Sequence, residues 1–328
     1  MSLPSADSGF SGSPFSPESF EPSYSVPPQR RKFQSRLWLH ALLFVMTLAS
    51  TTFVGAGQYA AFASDFGRKT VEIDWTLLTG GLWYSIPVLA ILGAHEMGHY
   101  LYCRRYNIDA TLPYFLPLPI IFSGTLGAVI KIREPFPTRK ALFDVGIAGP
   151  IAGFVVLVPM LFIGVALSTV TPSPPADAVG MQFGEPLLFQ WVQHAVHGEF
   201  PPGYELNAHP VVWAAWFGML ATALNLLPFG QLDGGHVSYA ALGRWSAPIS
   251  LITVVFTVGM TFVSVSWVFM AAMMLAMLLL LGPGHPRALN EHEPLDSGRK
   301  LLALLALVML VTCFTPVPIE LKDLIRNP

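Results

Sequence analysis

The stretch Leu82–Cys103 reads LWYSIPVLAILGAHEMGHYLYC, with no Lys, Arg or Asp and a single Glu. A helix of about 20 apolar residues is enough to cross the hydrocarbon of a bilayer. The second half of this one carries His95, Glu96 and His99. Residues four apart share a helix face one turn apart, so the two histidines point the same way. Ionisable groups inside a span are costly and mark functional sites. Two imidazoles at this spacing can grip one zinc ion, with Glu96 beside them as a general base.

The rest of the chain supports a membrane setting. Of 328 residues, 53% are hydrophobic and 12% charged, with a mean hydropathy of +0.54. Soluble domains carry about 25% charged residues, so an ordinary cytosolic enzyme and a disordered polymer are both excluded. A net charge of −2 leaves no basic surface for nucleic acid. Cys103 and Cys313 are too few for a disulfide framework or a Cys-rich zinc site. Apolar runs occupy Leu37–Phe62, Leu82–Cys103, Ala141–Val170, Pro210–Phe229, Pro248–Leu281 and Leu301–Phe314. The fifth is too long for one span, and Ser264-Val265-Ser266 offers a turn within it. The reading is therefore an all-α polytopic membrane protein with about seven transmembrane helices.

Charge supplies an independent test. With the N-terminus inside, the outer segments hold only Arg68, Lys69, Lys322 and Arg326 of the 18 Lys and Arg, and Thr171–His209 holds none. That is the expected cytoplasmic excess of positive charge. The implied organisation is a disordered Ser/Pro-rich cytoplasmic tail at 1–36 and a membrane-embedded domain at 37–316 with its core at 82–236. A short external tail follows at 317–328.

A tetrahedral zinc bound by two histidines needs a third protein ligand. The fourth span ends on the cytoplasmic side in Asn225-Leu226-Leu227-Pro228-Phe229-Gly230-Gln231-Leu232-Asp233-Gly234-Gly235-His236. Pro228 and Gly230 break the helix there, so Asp233 can turn inward to the depth of His95 and His99. His95 lies about 12 Å beneath the cytoplasmic end of its helix. Between the second and third spans, Leu112–Ile132 is apolar yet contains Pro113, Pro117, Pro119, Gly124 and Gly127. A short membrane-dipping β-hairpin fits better than a helix, with a plain interfacial loop as the alternative. Its edge could hold an unwound substrate as an added strand.

His95-Glu96-Met97-Gly98-His99 together with Asn225-x-x-Pro228-x-x-x-x-Asp233-Gly234 resembles the site-2 protease family of intramembrane zinc metalloproteases. The resemblance runs from about Leu82 to Leu295. It includes Phe115-Leu116-Pro117 through Ser123-Gly124-Thr125-Leu126-Gly127-Ala128, Gly149-Pro150-Ile151-Ala152-Gly153, and His285-Pro286 with Glu293-Pro294-Leu295. It implies a three-helix catalytic core made of Leu82–Cys103, Ala141–Val170 and Pro210–Phe229. It also implies one zinc per chain on His95, His99 and Asp233, Glu96 as catalytic base, and Asn225 as donor to the oxyanion or substrate backbone. Gly124, Thr125 and Gly127 would bind substrate, a membrane-spanning protein of regulatory kind, within the lipid bilayer. The corresponding location is a cell membrane, inner or plasma, of a bacterium. The chain departs from many members in that Thr171–His209 is too short for a PDZ domain, and its tail is too short for CBS domains.

Competing readings are a membrane zinc transporter, a membrane zinc protease drawing its third ligand from a downstream Glu, and a catalytically inactive membrane adaptor. The ionisable residues cluster at one depth, Asp233 sits in a glycine-rich turn and Glu96 is intact, and these features favour the protease. His236 could hold a ligand carboxylate or simply face solvent. His194, His197, His209, His285 and His292 read as surface histidines. Asp144 reads as a charge at a helix start near Arg139 and Lys140. Met270, Met273, Met274 and Met277 read as lipid-facing packing, and Cys103 has no assigned role.

Overall fold

A computed structural model describes residues 36–119, 123–174, 180–282, 290 and 294–322. The chain divides into Met1–Gln34 and Ser35–Pro328. The expected disordered tail, His285, His292 and Glu293 lie outside the described residues. The described chain begins with α1 (Leu37–Ala63), α2 (Trp75–Gly80) and α3 (Leu82–Arg105), followed by strands β1 (Tyr114–Pro117) and β2 (Thr125–Val129). Next come α4 (Arg139–Leu167), β3 (Thr169–Pro172), β4 (Gly180–Phe183), α5 (Leu187–His197), β5 (Tyr204–Asn207) and α6 (Pro210–Leu226). The remainder is α7 (Asp233–Leu242), a short 3₁₀ turn, α8 (Ser246–Met260), α9 (Trp267–Leu281), α10 (Ser297–Cys313) and β6 (Ile319–Lys322).

The fold is of the all-α polytopic membrane class, and each apolar run falls on a helix. Among the described residues, four helical stretches are long and apolar enough to cross a membrane by length and composition: Leu37–Ala63, Trp75–Arg105, Arg139–Leu167 and Asp233–Met260. Pro210–Leu226 and Trp267–Leu280 are apolar but shorter, so length and composition alone do not fix the count at seven. The expected break in the fifth run is present, because α8 ends at Met260 and α9 starts at Trp267.

The helices α3, α4 and α6 pack together around Ile91, Leu157, Leu161, Ala215, Trp216 and Met219. Lipid tails are as apolar as these side chains, so association relies on close fit, which small residues permit. Gly98 of α3 lies against the Ala148 carbonyl of α4, and Gly164 of α4 lies against the backbone of Val211 and Val212 in α6.

Contacts sort the helix ends into two groups. At one end, Arg68 Nη2 donates to the carbonyls of Pro172 and Ser173. The Ser266 hydroxyl donates to the Ile319 carbonyl, and β4 pairs antiparallel with β6. At the other end, Tyr106 and Arg299 meet on Asp144, Arg139 donates to the Ala240 carbonyl, and Thr138 bridges to Asn290.

Between α4 and α6, β3 pairs with β5, and Phe189 and Val192 of α5 enter the core. Several expectations are corrected here. His209 is buried, not superficial. Its Nδ1 accepts the Val211 N–H at the start of α6, and its ring stands edge-on to Phe62 and Trp83. His197 is half-buried against the Val165 carbonyl. Met270 and Met274 are buried with Trp267 against Leu227 and Phe229, with Met273 and Met277 packed alongside, so they fill a core under the α6–α7 turn instead of facing lipid.

Candidate metal centre

His95 and His99 lie one turn apart on α3 and are both 7% exposed. The chain after α6 turns at Pro228 and Gly230, the latter at φ +50°, and restarts as α7 with Asp233 as its first residue. A carboxylate at a helix start is favoured by the unpaired N–H groups there. Gly234 and Gly235 follow, pressed against the Leu226–Leu227 and Phe229–Gly230 carbonyls, where a Cβ has no room. This close approach brings Asp233 back over α3, as the Pro-Gly break leads one to expect.

The three side chains converge. His95 Nε2 is 3.1 Å from His99 Nε2 and 3.1 Å from Asp233 Oδ2, and His99 Nε2 is 3.3 Å from Asp233 Oδ1. The ligand atoms of all three residues fall within 4.8 Å of one another. A tetrahedron with zinc–ligand bonds of about 2.0–2.1 Å has edges of about 3.3–3.4 Å, close to each of these nitrogen–nitrogen and nitrogen–oxygen separations. The tautomer fits as well. His99 Nδ1 lies 2.8 Å from the Val145 carbonyl, to which it can only donate, leaving a lone pair on Nε2. Two buried, facing imidazole nitrogens and a half-buried carboxylate are the donor set of a zinc ion.

The glycines of α4 explain how the rings fit. A Cβ on Gly149 would strike the His99 ring, and Gly153 faces His95 Cβ and Nδ1. Glu96 is 9% exposed and neighbours both histidines and Asp233. Ile130, the residue after β2, lies near its carboxylate.

The hairpin expected between the second and third spans is present. β1 and β2 pair antiparallel, with Leu116 opposite Gly127 and Pro117 opposite Thr125. Leu126 is thereby left as an unpaired, exposed bulge residue. The Thr125 hydroxyl donates to the Leu116 carbonyl and receives the Gly127 N–H, closing the bulge. Gly124 and Gly127 both take positive φ, +73° and +105°, which favours glycine. Among the described residues, no strand pairs with the other edge of β2.

The structure thus brings together His95, His99, Asp233, Glu96 and the end of the hairpin. Asn225 lies on the last turn of α6, one turn-segment before Asp233. His236 sits half-buried beside Gly146 and Phe136. Sequence reasoning missed the hairpin's anchors. His40 of α1 stacks on Tyr114 and its Nδ1 lies 3.0 Å from the Pro113 carbonyl. The Ser50 hydroxyl donates to the Gly124 carbonyl and that of Tyr84 to the Ser123 carbonyl. An ionisable His40 inside an apolar run was the available signal. Asp144 was also misread: it is bound by Arg299 and Tyr106 rather than serving only the start of α4.

The model of Peptidase family M50 matches residues 83–266. The chain is 28% identical over 307 residues to the probable zinc metalloprotease EGY1, chloroplastic, of Arabidopsis thaliana, covering 88% of this chain and 55% of that protein. It is 34% identical over 174 residues to the probable zinc metalloprotease EGY2, chloroplastic, of Oryza sativa subsp. indica, covering 51% and 30%. The chain therefore spans about half or less of the curated relatives it matches. Those relatives are chloroplastic plant proteins and give no support to a bacterial source. No solved structure matches the chain significantly. A three-donor cluster of His95 and His99 from the His-Glu-x-x-His helix with Asp233 from the start of α7, within a domain matched over more than half the chain, places this protein in Peptidase family M50, the site-2 protease family.

Proposed function

We propose that this chain is an intramembrane zinc metalloendopeptidase that cuts a membrane-spanning segment of a protein substrate, regulatory in kind. The observation that carries the reading is the convergence of His95, His99 and Asp233 with Glu96 alongside, near Ile130 at the end of the hairpin. Zinc held by the three ligands would supply a Lewis acid and a water activated near neutral pH. Glu96 accepts a proton from the attacking water and passes it to the leaving amine. Asn225 donates to the oxyanion or to the substrate backbone. The open edge of β2 accepts an unwound substrate segment as a further strand, with Gly124, Thr125 and Gly127 shaping that edge. An intact helix keeps its carbonyls in internal hydrogen bonds, so the substrate must open before it can be cut.

The orientation read from charge is part of this proposal, as are the seven crossings and the division into a cytoplasmic tail, a membrane domain at 37–316 and an external tail. The contacts support it. The segments after α1 and α4, the α8–α9 turn and the C-terminal strand meet at one end, while those after α3 and before α4 and α10 meet at the other. Such sorting is what alternating crossings produce. The hairpin is also consistent with a membrane-dipping element: it touches α1 at His40 and again at Ser50, about 15 Å along the helix.

The test uses a model membrane substrate and mass spectrometry of the product termini. Cuts should fall in the cytoplasmic half of the span and be faster when Asn-Pro or Gly-Gly lies there than in an all-Leu version. Glu96→Gln should abolish them. Cuts in a soluble loop, or indifference to helix breakers, would remove the intramembrane mechanism.

A further inference from the structure

We infer that Arg299, Asp144 and Tyr106 form a clamp that positions the ligand His99 through the backbone of α4; this rests on the zinc-site reading above. Asp144 is 9% exposed and is gripped on both oxygens. Arg299 Nε donates to Oδ1 at 2.7 Å, Arg299 Nη2 donates to Oδ2 at 2.6 Å, and the Tyr106 hydroxyl donates to Oδ2 at 2.5 Å. A bidentate guanidinium–carboxylate pair fixes direction as well as distance. The guanidinium is itself oriented from its own helix. Asp296 precedes α10, accepts the Arg299 N–H at 3.1 Å and pairs with Arg299 Nη1.

The clamp ties down the short piece of α4 on which the metal site leans. The residue after Asp144 is Val145, whose carbonyl accepts His99 Nδ1 at 2.8 Å. Gly146 lies against the Cβ of His236 and near the Asp233 carbonyl. Gly149 lies under the His99 ring. Tyr106 closes the circuit, because it directly follows α3, the helix that carries both histidines. One carboxylate therefore fixes the register of α3, α4 and α10 within about one turn of the Val145 carbonyl.

Stability is a poor explanation for this arrangement. Desolvating a partly buried ion pair offsets much of its attraction, whereas the planar fork of an Arg–carboxylate pair adds geometric specificity. The group whose geometry matters is one residue away. Loss of the Val145 contact frees the His99 ring to rotate and to place its proton on Nε2, which removes the lone pair a metal needs.

The experiment measures zinc affinity of the purified full chain by chelator competition, and the visible spectrum of its cobalt-substituted form, which reports ligand geometry. Arg299→Ala should weaken zinc binding about 10-fold and shift the cobalt bands. Arg299→Lys keeps charge but not the fork and should recover only part of this. Tyr106→Phe removes one hydroxyl and should give a smaller shift in the same direction. His95→Ala serves as reference and should lose zinc. Wild-type zinc affinity and cobalt bands in Arg299→Ala, beside loss of zinc in His95→Ala, would overturn the clamp and leave the site intact. Full zinc binding by His95→Ala would instead sink the site reading. If Arg299→Ala does not fold, Tyr106→Phe decides: an unchanged cobalt spectrum, even with a lowered melting temperature, overturns the inference.

Discussion

Both α4 and the β1–β2 hairpin lean on the half of α3 that carries His95, Glu96 and His99, and they are held there in different ways. α4 is fitted by shape. Gly149 and Gly153 bring its backbone close against His99 and His95, Gly146 lies against His236 and near the Asp233 carbonyl, and the Val145 carbonyl fixes one ring. The hairpin packs Phe115 against Tyr84, Val88 and Leu89 and is further held by separate polar tethers. His40, Ser50 and Tyr84 each reach one of its backbone carbonyls, at Pro113, Gly124 and Ser123. A close-packed wall fails abruptly when volume is added, whereas tethers can be removed one at a time. The metal should therefore depend on α4, and substrate handling on the hairpin, with little crossover between them.

Substitutions can break that separation. The largest effect belongs to Glu96→Gln, which should lower cleavage of a model substrate by at least about 10²–10⁴-fold, the usual worth of a general base, while zinc content stays at one per chain. Zinc loss in that variant would show that Glu96 holds the site together rather than serving chemistry. Next is Gly149→Ala, which changes no ligand. Its new methyl meets the His99 ring, so zinc affinity should fall about 10–100-fold, as when a ligand's supporting contact is lost. Unchanged chelator competition would mean that α4 yields more easily than its packing indicates.

On the hairpin side, Gly124→Val should slow cleavage markedly with zinc fully retained. A Cβ there comes within 2.8 Å of Thr51 Cα and 2.9 Å of the Ser50 carbonyl, pushing the hairpin off α1. Gly127→Val meets open space and carries only the strain of φ +105°, about 1–2 kcal/mol, so it should slow cleavage less. Equal effects from the two would show that backbone strain, not docking on α1, controls the hairpin. The smallest effect is Tyr84→Phe, which deletes one hydrogen bond worth about 1 kcal/mol and should cost less than 10-fold in rate. Zinc loss in any hairpin variant would dissolve the distinction between the two walls.

Much of this was legible in the chain. The His95-Glu96-x-x-His99 spacing works on any helix, and the apolar run around it makes the helix certain, so the pair's shared face needed no tertiary information. Asp233 was legible from a break, because Pro228 and Gly230 cannot continue α6. The hairpin followed from prolines and glycines that exclude a helix inside an apolar segment. Less was legible where one residue type suits several settings. The methionines from Met270 to Met277 are equally at home in lipid or in a core, and only the fold of the α6–α7 turn beneath them put Met270 and Met274 inside. Asp144 has cations next to it in sequence, yet its partner Arg299 lies 155 residues away.

Local sequence determined what depends on period and backbone chemistry: which apolar segments are helices, where they break, and which ionisable groups share a helix face. Those are decided within about one turn, by geometry that every chain obeys. Only the tertiary structure decided what depends on separate helices meeting. It set the 3.1–3.3 Å spacing of the three ligands, the Val145 carbonyl behind His99, and the clamp from α10. Such contacts follow from the close approach of helices at small residues, in a medium where apolarity alone gives no preference for one partner over another.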